Sequence, residues 1–79
     1  MYNSIRKEVL ILGFKYYKLM DLLNRKSMSK EDLRLLIGIS SSTMSKISAN
    51  KIVSLEVLEK ICKALDCQPA DIMEYEKTE

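Results

Sequence analysis

Histidine and tryptophan are absent from this chain of 79 residues, proline occurs once, and glycine and cysteine occur twice each. Each shortage excludes something. Without histidine, the common Ser-His and Cys-His nucleophile arrangements and most zinc sites lack a member. Glycine only at 13 and 38 leaves no phosphate-cradling loop, and no paired carboxylates stand outside what read as solvated helix faces. An enzyme is therefore not expected, nor is any cofactor or metal. Cys62 and Cys67 lie five residues apart, off a common helix face, which argues against a mutual disulfide and for reduced, cytoplasmic thiols, with Cys62 a small core residue. Long hydrophobic runs are missing too: Val9 to Leu12 falls far short of the roughly 18 residues that span a bilayer. Arg6 and Lys7 precede too short an apolar segment for a secretion signal, so no membrane role is expected. Charge of one sign is also scarce. Thirteen basic against eleven acidic residues leave a net +2, so the placement of charge must inform more than its sum.

What remains is rich in Leu, Ile, Lys, Glu and Met, a balance that favours helices around one small core. Tyr16, Leu19, Met20 and Leu23 recur at helical spacing and predict a first amphipathic helix over 14–26, closed by Arg25 and Lys26. Ser29 offers an N-cap, with Asp32 at the reciprocal position, for a second helix running to about Ile37. Leu33, Leu36 and Ile37 are its inward residues. Gly38 stops it. Ser54 caps a fourth helix to about Leu65 with an apolar stripe of Leu55, Leu58, Ile61, Cys62 and Leu65. Pro69 suits the first position of a short fifth helix, with Ile72 and Met73 closing the core. The N-terminal run stays open. Ile5, Val9 and Leu12 fit a helix, whereas Val9 to Leu12 also read as a strand that would need a second copy of the protein as partner.

The stretch between the second and fourth helices is the most informative. Ser40 can cap a third helix over 41–48 that turns Met44 and Ile47 inward and leaves only Ser, Thr and Lys between them. The second helix has Glu31 and Asp32 in its first turn, but no acid occurs from Ser40 to Lys51. A helix whose N-terminus points at phosphate should keep carboxylates away from it.

This order of helices across a glycine turn resembles the Cro/CI-like (Xre, lambda-repressor-like) helix-turn-helix family of DNA-binding domains. The resemblance rests on Leu33, Ile37, Gly38, Ile39, Met44 and Ile47, on SLEVLEKICKALDC from Ser54 to Cys67, and on Asp71 to Met73. It implies an all-α, compact five-helix domain over 14–75, with 1–13 as an N-terminal extension and 76–79 as an acidic tail. It also implies a partner, double-stranded DNA, with the third helix in the major groove. Ser41, Ser42, Ser45 and Lys46 match base-facing positions, whereas Lys30, Thr43, Asn50 and Lys51 match backbone-contacting ones. Lys46 can donate to guanine O6 and N7, while serines donate or accept and specify little alone. Arg34 departs from the pattern, which places alanine there; its stem is expected over the apolar contact and its head in solvent or at an acid such as Glu56 or Glu59.

The function expected is that of a sequence-specific transcriptional regulator acting as a repressor. One short helix reads few base pairs, so a homodimer is expected, with Val9 to Phe14 as the candidate contact. The alternative is a protein-interaction module, such as an antitoxin or adaptor, on the same fold.

Overall fold

The computed structural model describes residues 13–76, so the extension from 1 to 12, including the undecided Val9 to Leu12, lies outside the described residues. Four α-helices follow in order: α1 (Tyr17–Arg25), α2 (Lys30–Ile37), α3 (Ser41–Ser48) and α4 (Leu55–Leu65). The chain that flanks them forms two short strands, β1 (Gly13–Lys15) and β2 (Glu74–Glu76).

Serine starts three of the helices. Ser29, Ser40 and Ser54 each take extended backbone and accept the N–H three residues on, at 2.9 Å from Asp32, 3.1 Å from Thr43 and 3.2 Å from Val57. Ser29 and Asp32 complete the reciprocal box, as the Asp32 carboxylate accepts the Ser29 N–H at 2.9 Å. Helix ends are as local in origin. Gly38 and Asp66 turn left-handed, at φ 73° and 53°, directly after α2 and α4. In both cases the next N–H reaches back five residues in the Schellman manner: Ile39 to the Arg34 carbonyl at 3.2 Å, and Cys67 to the Cys62 carbonyl at 3.0 Å.

One apolar cluster holds the elements. Leu19 and Leu23 of α1, Leu33 of α2, Met44 and Ile47 of α3, and Leu58, Ile61 and Leu65 of α4 are buried together with Tyr16, Ile39 and Ile72. Two residues expected inside lie outside it. Leu36 is exposed because the buried side of α2 centres on Leu33 and Ile37. Leu55 is exposed because helical side chains lean toward the N-terminus, so the first residue of α4 projects past the helix end. Cys62 is half-buried against the core rather than within it.

The all-α, five-helix expectation is corrected in two places. Pro69–Asp71 forms a single 3-10 turn instead of a fifth α-helix, since Ile72 then drops into the core and the chain extends after it. The chain also contains a sheet. β1 pairs antiparallel with β2, with Phe14 opposite Tyr75 and Gly13 opposite Glu76. The rings of Phe14 and Tyr75 meet edge to face at 5.6 Å between centroids. Lys18 lies 3.4 Å from Glu74, and the Tyr17 hydroxyl donates to the same carboxylate at 2.7 Å. Glu74 to Glu76 are thereby held in a strand. Phe14, expected as the start of the first helix, belongs to the sheet.

Candidate nucleic-acid interface

The outer face of α3 is built of hydroxyls and one ammonium. Ser41, Ser42, Ser45 and Lys46 are all exposed, while Met44 and Ile47 anchor the opposite face in the core. At the N-terminal end three hydroxyls converge: Ser40 Oγ lies 3.0 Å from both Ser42 Oγ and Thr43 Oγ1 while capping the helix. Serine and threonine favour this end because their short side chains satisfy N–H groups that have no carbonyl partner. The first turn of α3 carries no acid, whereas α2 carries Glu31 and Asp32 and α4 carries Glu56. α1 also lacks one, but its N-cap is Tyr16, a buried residue without a capping bond.

The four base-facing candidates share this outer face and span its width. Ser41 and Ser45 line the groove between α2 and α3 with Lys30, Glu31 and Arg34. Lys46 and Thr43 border a second groove, beside the loop residues Ile52 and Val53. Ile52 is 70% exposed at this edge. In the sequence, an isoleucine between a basic loop and a serine cap reads as core, so its exposure carries no local signal.

The backbone-contact candidates flank this face. Lys30, at the first turn of α2, donates to Ser48 Oγ at 3.2 Å, which carries its ammonium to the far end of α3. Lys51 is exposed just past α3, and its N–H is fixed to the Lys46 carbonyl at 2.8 Å. Asn50 has a structural role as well: at φ 58°, its Oδ1 accepts the Tyr16 N–H at 2.9 Å. The Tyr16 hydroxyl donates to the Lys51 carbonyl at 2.9 Å, so one buried tyrosine ties the loop after α3 to the start of α1. Burial pushes the Tyr16 phenol up from its usual range.

Arg34 meets neither Glu56 nor Glu59. Its Nε and Nη2 donate to the two oxygens of Glu31 at 3.0 and 2.6 Å, and its Nη1 donates to the Ile39 carbonyl at 3.3 Å. A carboxylate one turn back on the same helix was nearer than any on α4. The bidentate contact from Arg34 holds the Glu31 carboxyl below its ordinary range and raises the guanidinium. Arg34 thus braces the turn between α2 and α3 from outside, where the family pattern has a small residue.

Among the described residues no helix is long and apolar enough to cross a membrane, and no three Cys, His, Asp or Glu residues gather as metal ligands.

Comparison with known proteins agrees with this arrangement. Residues 18–78 match the model of the Cro/C1-type HTH DNA-binding domain. The chain is 42% identical over 60 residues to the uncharacterized HTH-type transcriptional regulator YozG of Bacillus subtilis (strain 168), across 73% of this chain and 71% of that protein. The crystal structure of the transcriptional regulator VanUg, Form II, superposes with a TM-score of 0.82 at 40% identity, covering 85% of this chain and 89% of that one. With a glycine turn between α2 and α3, an acid-free α3 and these relatives, the chain belongs to the Cro/C1-type helix-turn-helix DNA-binding family.

Proposed function

We propose that this protein is a sequence-specific DNA-binding transcriptional regulator that works as a repressor, with α3 in the major groove. The observation that carries the reading is the outer face of α3. Its capped, acid-free N-terminus leads into Ser41, Ser42, Ser45 and Lys46, with lysines on either side. Ser41, Ser42, Ser45 and Lys46 face base edges, while Lys30, Thr43 and Lys51 meet the flanking phosphates. Asn50 contributes its Nδ2 donors to the backbone, because its Oδ1 is engaged by Tyr16. The mechanism is non-catalytic and cytoplasmic: occupancy of an operator occludes polymerase.

The working unit is a homodimer, whose half-sites would lie about 34 Å apart. Support comes from the exposed Phe14 and Tyr75 at the sheet, next to the apolar run that continues into 9–12. Sedimentation of a chain lacking its first twelve residues tests this. An unchanged oligomeric state rejects the contact.

Selection of bound duplexes from a random pool, followed by anisotropy titration at two salt concentrations, tests the main reading. A palindromic consensus bound in a salt-dependent way is the expected result. Absent or salt-independent binding across the pool would reject it, leaving a protein-interaction module, for which the exposed Leu35 and Leu36 of α2 supply a surface.

A further inference from the structure

Cys62 and Cys67 stand on either side of the left-handed Asp66, at the two positions that a Schellman turn brings into contact. Counted along a continuous helix they would diverge, but the chain reverses after Leu65. The Cys67 N–H then closes on the Cys62 carbonyl at 3.0 Å, and both side chains border one groove with Leu58, Pro69 and Met73. Both thiols are free and half-buried. Burial, followed by the adjoining Cys62, pushes the Cys67 thiol up.

From this arrangement we propose that the C-terminal turn of α4 is a binding site for a soft, thiophilic d10 cation such as Cu(I), held between Cys62 and Cys67 with the Met73 thioether beside it. Donor chemistry sets the class. Two thiolates and a thioether suit soft ions, while zinc and calcium prefer four or more ligands that no cluster of described residues supplies. Coordination exchanges two S–H bonds for two metal–sulfur bonds and releases both protons to solvent, with no change of oxidation state. The bound ion pins the end of α4 to the Pro69–Asp71 turn that leads into β2. The site shares no residue with the outer face of α3 and does not depend on the DNA reading.

The test is an anaerobic titration of the whole, reduced protein with Cu(I) against a chromophoric chelator, together with alkylation by iodoacetamide read by mass. One ion per chain is expected, and both thiols should lose reactivity together at one equivalent. Because loss of an outer-sphere partner already weakens metal sites by about 10–100-fold, Cys62→Ser or Cys67→Ser should weaken binding by more than about 100-fold, and Met73→Leu by less. Alanine variants at the same positions, checked for helix content by circular dichroism, replace any serine variant that does not fold. Single-cysteine variants that bind as tightly as the parent overturn the proposal. So does a thiol that still alkylates at one equivalent, or one ion shared by two chains in sedimentation.

Discussion

Tyr16 is joined to Asn50 across 34 residues of sequence, its N–H donating to the Asn50 Oδ1 at 2.9 Å, and its hydroxyl reaches one residue further to the Lys51 carbonyl. The bond satisfies a donor at the buried start of α1 and fixes the chain as it leaves α3. Removing the acceptor leaves the Tyr16 N–H unpaired, at about 1–3 kcal/mol. Asn50→Gly should therefore destabilise the protein by about that amount in urea unfolding. Asn50→Ala should lose up to about 1 kcal/mol more, because alanine resists the positive φ. Tyr16→Phe, which deletes only the hydroxyl bond to an exposed loop, should lose about 0.5–1.5 kcal/mol. A glycine variant as stable as the parent would refute the role of the bond.

The box at Ser29 makes stability depend on acid. Hydrogen bonds from the Ser29 backbone and hydroxyl depress the Asp32 carboxyl below its ordinary range. A depressed native value means that the contribution is complete above the unfolded pKa of about 3.9 and is lost as pH falls through the native one. Asp32→Asn should thus be less stable than the parent at pH 7, and the two unfolding curves should converge in strong acid. Parallel curves down to pH 2 would reject the coupling. Glu31 and Glu74 are depressed as well, by Arg34 and by Tyr17 with Lys18, so the acid limb of the parent should remain in this variant.

Gly38 separates conformation from space. A Cβ placed there meets no atom within 4 Å, yet the residue sits at φ 73°. Gly38→Ala should lose about 1 kcal/mol through the left-handed backbone alone, and Gly38→Asn less, since asparagine visits that region more readily. Equal melting temperatures for the parent and the alanine variant would show that the turn relaxes to another conformation.

Much of this was legible in the sequence where its causes are local. Ser29 with Asp32, Ser40, Ser54 and Gly38 act within six residues, and each occupies the cap or turn its chemistry implies. The inward set of α3 was equally readable, since Met44 and Ile47 are the only large apolar side chains there. What escaped depends on distance. The strand at Gly13–Lys15 is three residues long and is defined by a partner at the other end of the chain, so no periodicity announces it. Asn50 reads as an exposed polar loop residue until Tyr16 is seen against it. For Arg34 the sequence points to solvent or to an acid of α4, whereas Glu31, three positions back on the same helix, takes the guanidinium. The proximity of Cys62 and Cys67 was hidden because helical spacing was extended past the residue that breaks it.

The lysines flanking α3 should separate affinity from specificity. Lys30 is placed by its bond to Ser48 Oγ, at the edge of α3 and away from the Ser40 cap, where a phosphate contact carries no sequence information. Its loss releases one fewer counterion. Lys30→Ala should flatten the log-log salt dependence of binding by about 0.9 and weaken consensus and scrambled duplexes by the same factor. Lys30→Arg should keep the slope. Lys46 differs because its exposed ammonium lies on the helix face that carries Ser42, beside Ile52. Lys46→Ala should weaken the consensus by about 1–3 kcal/mol while sparing scrambled DNA, and selection with that variant should lose preference at one position per half-site. Equal losses on both duplexes would move Lys46 to the backbone class and leave base reading to the three serines.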